Sequence, residues 1–143
     1  MRRAITYSVV KRKNPRHLED IPKFYAQAQA RGEADINSLS KHIQVMCSMT
    51  PADVLGVLTA LEMAVRYHLE NGEIVRLGSL GSLQISLSCE GATTEEEFTP
   101  SLIRRSRIIF RPGSSLTEMQ RVLNYEKVEQ RSKLKDNLPA DSS

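Results

Sequence analysis

The sequence predicts an α+β protein, in which helices and strands occupy separate stretches of the chain. Residues 36 to 70 carry apolar side chains at helical spacing, whereas the stretches on either side alternate apolar and polar residues or run apolar between glycines. With 143 residues, 40% of them hydrophobic, the chain can supply a core for one domain with an added element.

The first predicted element is an amino-terminal β-hairpin within residues 1–32. Ile5, Tyr7 and Val9 lie on one parity before the basic turn "KRKNPR", and "KFYAQAQAR" alternates again. Period two is only weakly favoured in the second run, because Ala and Gln also favour helices.

Two helices follow, and each has a readable start. Asp35 is predicted as the N-cap of a short amphipathic helix, and Thr50-Pro51-Ala52-Asp53 combines a cap, a proline at the first position and an acid at the third. Asn71-Gly72 is predicted to end the second helix. Its apolar residues, from Val54 onward, spread beyond one narrow stripe, which favours burial on two sides and therefore a dimer.

The glycines of "NGEIVRLGSLGSLQISL" raise the possibility of a phosphate loop. Such a loop needs a helix after its glycines, because the anion binds to the free N–H groups of that helix. Here a strand is predicted over Glu73–Leu77 and another over Leu83–Leu87, so Gly78 and Gly81 are predicted to turn the chain with positive φ.

The carboxyl-terminal part is predicted as an exposed connection, a strand, a short helix and a tail. The connection "SCEGATTEEEFTPS" is acidic, and "LIRRSRIIF" is a strand with Arg105 and Arg107 on one parity and Arg104 on the other. In "RPGSSLTEM", Ser115 and Glu118 are predicted as a capping box. Residues 127–143 are predicted to form a polar, disordered tail.

Charge is distributed unevenly along the chain, although the net charge is only +3. Residues 1–31 hold eight basic and two acidic residues, residues 32–103 hold three and ten, and residues 104–143 hold nine and five. Clustered Lys and Arg are what phosphate binding requires, but a solvated basic face has the same composition.

Other chemistry is not expected. The sequence has only two cysteines, no ligand-like spacing of its three histidines, no serine in a nucleophile context and no long apolar run. We therefore expect a cytoplasmic protein that is not an enzyme and has no metal, no cofactor, no small-molecule substrate and no membrane partner.

Two segments carry a resemblance to a known family. "NGEIVRLGSLGSLQISL" and "IIFRPGSSLTEM" resemble the strand-glycine-strand and arm-end segments of the bacterial histone-like HU and integration host factor family. The resemblance implies an HU-like domain over residues 33–126, with two helices, a three-stranded antiparallel sheet with a long β-arm, and a short final helix. Residues 1–32 then look like the extension of a longer HU-like variant.

The resemblance also implies a function: double-stranded DNA binding with little or no sequence specificity, by a nucleoid-associated homodimer whose arms wrap the minor groove. Basic residues of the arm strand and of the amino-terminal turn are the expected DNA contacts, together with one serine. They are Arg104, Arg105, Arg107, Arg111, Ser114, Lys11, Arg12, Lys13 and Arg16.

The arm departs from the family pattern. The family's arm is rich in Arg and Lys and carries Asn-Pro at its tip, whereas this one contains Glu95, Glu96 and Glu97, and no Asn precedes Pro100. Intercalation and strong bending are therefore not expected. A second hypothesis stays open, that of a protein-interaction or scaffolding module which kept the fold and lost DNA binding.

Overall fold

The structure, a computed structural model, describes residues 3–130 of the chain. It is an α+β protein with three helices and two three-stranded sheets. In chain order the elements are β1 (Ile5–Arg12), β2 (Lys23–Ala28), α1 (Ile36–Met46), α2 (Pro51–Glu70), β3 (Val75–Arg76), β4 (Gly81–Cys89), β5 (Ile103–Pro112), α3 (Ser114–Arg121) and β6 (Tyr125–Lys127).

The chain forms two compact units. Unit 1 comprises the amino-terminal residues up to 33 and the residues from 122 onward, and unit 2 comprises residues 34–121. Unit 1 therefore contains β1, β2 and β6, whereas unit 2 contains the three helices and the sheet of β3, β4 and β5.

Unit 1 is a sheet with β1 in its centre. Strand β2 pairs with β1 antiparallel, with Tyr7 opposite Ala28, and β6 pairs with β1 in parallel, with Ile5 opposite Tyr125. The side chains of two residues that lie opposite each other on neighbouring strands point to the same face of the sheet. One face is therefore apolar, and a shallow depression there is lined by Ile5, Tyr7, Ala26, Ala28 and Tyr125.

The opposite face of β1 carries two buried hydroxyl groups. Thr6 and Ser8 are both buried, and each has a partner on the segment after β2. The Thr6 hydroxyl donates to the backbone carbonyl of Gln29, and the Gln29 side-chain amide donates to Ser8 Oγ at 2.9 Å. These bonds satisfy polar groups that would otherwise be costly to bury.

Helices α1 and α2 begin at the predicted caps. The backbone N–H of Ser38 donates to Asp35 Oδ1 at 2.8 Å, and this bond lowers the pKa of the Asp35 carboxyl. At the start of α2 the Asp53 N–H donates to Thr50 Oγ1 at 3.2 Å. Helix α2 ends at Glu70, and Gly72 follows with a positive φ of 78°. All three of these predictions are confirmed.

The arm of unit 2 is the hairpin formed by β4 and β5. The glycines at its base turn the chain, as predicted. Gly78 and Gly81 have φ of 59° and 149°, and strand β4 follows them. A Cβ on Gly81 would lie 2.5 Å from the Arg111 carbonyl oxygen, and one on Gly113 would lie 2.4 Å from that of Ser79. Only glycine allows the backbone to approach this closely.

Several boundaries differ from the predictions. The strand predicted over Glu73–Leu77 pairs only at Val75–Arg76, because the turn at Gly78 begins immediately afterwards. Helix α3 begins at Ser114, with the Thr117 N–H bonded to the Gly113 carbonyl, so Ser115 lies inside the helix and does not act as its predicted cap.

The carboxyl-terminal end of the described chain differs most. Strand β6 was not predicted, and it places Tyr125–Lys127 beside β1, so the compact unit 2 ends at Arg121, before the predicted boundary at 126. The pairing continues to Val128, whose N–H donates to the Tyr7 carbonyl at 2.8 Å. Most of the predicted polar tail, residues 131–143, lies outside the described residues.

Two glycine-to-alanine variants test the close approach at the arm base. We expect Gly81→Ala to destabilise the protein by about 2 kcal/mol or more, because it combines an unfavourable φ with a backbone clash. Gly56→Ala is the matched control: its Cβ meets nothing within 4 Å, and relief of helical glycine entropy should add about 0.5–1 kcal/mol. Urea unfolding at one protein concentration measures both, and equal midpoints for the two variants would contradict the account.

Candidate nucleic-acid interface

The register of β4 and β5 collects arginines on one face of the unit 2 sheet. Ser82 lies opposite Arg111, Ser86 opposite Arg107 and Ser88 opposite Arg105. Each pair shares a face, because antiparallel partners point to the same side. The other face carries Leu83 with Phe110, and Ile85 with Ile108.

A fourth arginine joins this face from the short strand β3. Arg76 lies opposite Ser82, so it lies on the same side as Arg111. We call Arg76, Arg105, Arg107 and Arg111 the basic face. All four are exposed, and none of them has a carboxylate partner among the described residues.

The base of the basic face adjoins the start of α3. A depression there is lined by Arg76, Ser82 and Arg111, together with the turn glycines and Pro112. Ser114, the first residue of α3, is exposed, and its carbonyl accepts a hydrogen bond from the Thr117 hydroxyl at 3.1 Å. The first N–H groups of a helix lack intrahelical partners and favour an anion. An anion at the base of the basic face would therefore meet both the guanidinium groups of Arg76 and Arg111 and the first backbone N–H groups of α3.

Arg104 has different surroundings from the other arm arginines. The pairing between β4 and β5 is irregular at Ser88 and Cys89, where Cys89 lies opposite Ile103 and leaves Arg104 as the extra residue of a bulge. Its guanidinium forms an ion pair with Glu90. From the sequence, Arg104 was predicted to contact DNA together with Arg105 and Arg107. In the structure its charge is already compensated by Glu90.

The amino-terminal basic residues lie in unit 1. Lys11 and Arg12 end strand β1, and Lys13 and Arg16 lie in the connection to β2, and all four are exposed. The Arg16 N–H donates to Asn14 Oδ1 at 3.0 Å, which fixes the predicted turn. The same connection also carries Glu19 and Asp20, so its charge is mixed.

Arg76 and the serines of β4 were not predicted from the sequence as parts of the DNA-binding surface. Arg76 was not selected because only its pairing with Ser82 places it beside Arg111. The β4 serines were not selected as DNA contacts, and Ser88 was assigned to the exposed connection, although period two places Ser82, Ser86 and Ser88 on one side. Hydroxyl groups next to arginines add neutral hydrogen-bond donors for phosphate oxygens.

Metal-ligand clusters, disulfides and membrane-spanning helices are absent from the part of the chain that the structure describes. Among residues 3–130, no three His, Cys, Asp or Glu side chains are grouped as metal ligands, and both cysteines are free and exposed. No helix in that part of the chain is long and apolar enough to cross a membrane.

Comparison with known proteins places this geometry in context. A family model described as "HU domain fused to wHTH, Ig, or Glycine-rich motif" matches residues 3–127. No curated protein matches the chain. The crystal structure of a "Putative bacterial DNA binding protein from Bacteroides vulgatus ATCC 8482" has a TM-score of 0.63 and 12% sequence identity, and the match covers 90% of this chain. It covers 49% of that chain, so this protein spans about half its length.

At 12% identity, that structural likeness shows the fold alone. The family match is the stronger finding, because it extends over nearly the whole chain and includes both segments on which the HU resemblance rested, residues 71–87 and 108–119. The resemblance is thus confirmed, and the chain belongs to the HU-HIG family, in which an HU domain is fused to a winged helix-turn-helix, an immunoglobulin-like domain or a glycine-rich motif.

Proposed function

We propose that this protein binds double-stranded DNA through its basic face, with little or no sequence specificity, as an HU-like dimer. The observation that carries the proposal is the alignment of four exposed arginines on one face of the sheet of β3, β4 and β5. No carboxylate lies on that face within these three strands. A nucleoid-associated role in the cytoplasm of a bacterium follows from such an activity.

The chemistry of the basic face suits the DNA backbone better than the bases. Arginine forks bind phosphate oxygens bidentately, and serine hydroxyls add short donors beside them. Contacts of this kind position a protein on DNA and carry no sequence information directly. Base edges could be read by the same arginines, at guanine, and by Gln84, which lies on the same side of the sheet. Arginines engaged with phosphates do not read bases, so sequence preference should be weak.

The contacts proposed for the basic face are Arg105, Arg107, Arg111 and Arg76, with Ser114 at the start of α3. Lys11, Arg12, Lys13 and Arg16 are proposed as a second, weaker set from the turn of unit 1. Arg104 contributes less than its neighbours, because Glu90 already compensates its charge.

Dimerisation is proposed from the apolar surface that one chain leaves uncovered. Val54 and Leu69 are the only buried large hydrophobic residues among those described, whereas Val57 is 55% exposed. The apolar face of the sheet is also open, with Ile108 69% exposed. Contiguous apolar surface of this kind marks an interface, and a second copy of the chain is the partner that the HU fold provides.

The DNA contact can be tested by fluorescence anisotropy with a duplex of about 30 base pairs at several salt concentrations. We expect affinity to fall steeply with salt, and Arg107→Ala to lower the magnitude of the salt slope by about 1, the value for one lost phosphate contact. Arg104→Ala is the matched control, since it removes the same charge from a residue already paired with Glu90. Equal slopes for the two variants would contradict the assignment of the basic face.

The dimer can be tested with size-exclusion chromatography and light scattering. Val57→Glu should shift the protein from dimer to monomer, because it places a charge in the proposed apolar interface. Thr59→Glu introduces the same charge on the side of α2 that carries Arg66 and Glu70, and should leave the dimer intact. If the wild-type protein is a well-folded monomer and Val57→Glu changes nothing, the shared core is absent.

One observation favours the second hypothesis, that of a protein-interaction module. The apolar face of unit 1 leaves Ile5 39% and Tyr125 67% exposed, and small alanines of β2 leave room above the sheet. A surface of this composition suits another polypeptide better than DNA. Absence of DNA binding at low salt, with the dimer retained, would favour this function.

A further inference from the structure

The arm of unit 2 reverses its charge a short way beyond the basic face. On the last regular pair before the bulge, Ser88 lies opposite Arg105, and the Glu90 N–H then bonds to the Leu102 carbonyl at 2.9 Å. From this row outward the charged side chains are Glu90, paired with Arg104, and then Glu95, Glu96 and Glu97, all exposed. We call Glu90 and Glu95–Glu97 the acidic end.

We propose that the acidic end confines DNA to the inner part of the arm, so that the arm stops the duplex at Arg105 and does not wrap around it. This inference rests on the proposed function and adds a limit on the length of DNA that one arm engages. It also assigns a role to four carboxylates that a DNA-binding surface would otherwise have no reason to carry.

The bulge marks the position of the limit. Arg105 is the outermost arginine without a partner, since Arg104, the next residue outward, is held by Glu90. Arg105 and Arg111 are six residues apart on β5, which spans about 20 Å of strand. At about 3.4 Å per base pair, this length corresponds to about six base pairs.

Beyond that point the electrostatic balance changes sign. Duplex DNA carries about one negative charge per 1.7 Å of axis, so a duplex that followed the arm outward would meet three adjacent carboxylates. Screening does not remove this repulsion for close contacts, because the Debye length at physiological salt is about 8 Å. Contact with the inner arginines is favourable, and contact with the acidic end is not.

The residues near the tip also lack an arrangement for insertion between bases. Pro100 begins a short 3₁₀ turn that leads directly into β5, with the Leu102 N–H bonded to the Thr99 carbonyl at 3.0 Å. Phe98 is the one large apolar residue of the segment 91–99, and it directly follows Glu97. Wedges that kink DNA insert an apolar side chain between base steps, and three carboxylates beside Phe98 oppose that approach.

The experiment compares wild-type protein with the isosteric triple variant Glu95→Gln/Glu96→Gln/Glu97→Gln. Duplexes of increasing length, titrated at several salt concentrations, give the minimum site size and the salt slope. We expect the variant to occupy a longer site and to bind long duplexes more tightly, with little change in slope, because a neutral amide removes repulsion but releases no counterions. Glu33→Gln/Glu62→Gln/Glu129→Gln changes the net charge equally outside the arm and is the control.

A second variant and a measurement of DNA bending test whether contact with DNA stops at Arg105. Glu90→Gln frees Arg104, so it should add one contact and raise the slope by about 0.9. Energy transfer between dyes at the two ends of a duplex of about 40 base pairs should show little bending by the wild-type protein. Strong bending by the wild-type protein would overturn the inference.

The outcomes separate this inference from the function on which it rests. If the wild-type protein binds DNA and the arm variant has the same site size and the same affinity for long duplexes as the control variant, the inference alone is wrong. If no variant binds DNA even at low salt, both fail. If only the arm variant binds, the acidic end excludes DNA entirely, which sinks the proposed function of the wild-type chain and the stop at Arg105 with it.

Discussion

The close backbone approach at Gly81 and Gly113 is the constraint on which the rest of unit 2 depends. Gly81 packs against the Arg111 carbonyl and the Phe110 ring, and the Gly113 N–H donates to the Leu80 carbonyl at 3.0 Å. Together these contacts fix Gly81 opposite Pro112 and thereby set the register of the whole arm. A slip of one residue would move Arg105, Arg107 and Arg111 to the apolar side of the sheet, so two residues without side chains determine where these three cations lie.

The same register gives the sheet two different surfaces. Three arginines of β5 and the serines of β4 occupy one face with Gln84 and Ile109, and the other face is mainly apolar. Ile85, Ile108 and Phe110 lie on that second face, and all three are exposed in a single chain. An apolar face left in water costs about 25 cal/mol for each Å² that a partner could cover. The proposed association with a second copy and the proposed contact with DNA therefore use opposite faces of one sheet, and neither needs to displace the other.

The elements that could be predicted from the sequence are those set by neighbouring residues. The caps at Asp35 and Thr50 and the end at Gly72 depend on hydrogen bonds within a few residues, so their residue types are informative. Arg76, the Glu90 ion pair and strand β6 could not be predicted in this way. Each depends on how strands pair. Arg76 lies beside Arg111 because β3 and β5 both pair with β4, and Arg104 meets Glu90 at the bulge between β4 and β5. Strand β6 pairs with β1, more than a hundred residues away.

Because β1 pairs with β6, the sequence of unit 2 is inserted between two strands of unit 1. Unit 2 occupies residues 34–121, between the strands of unit 1, so the sheet of unit 1 is complete only after the helices and the arm have been synthesised. Until then β1 has a bare edge, where the Ile5 N–H lacks the Asn124 carbonyl and the Tyr7 carbonyl lacks the Val128 N–H. Open edges invite pairing with other chains. Strand β6 covers this edge of β1 and leaves a shorter edge of three residues, two of them charged, which is the kind of edge that discourages pairing with other chains.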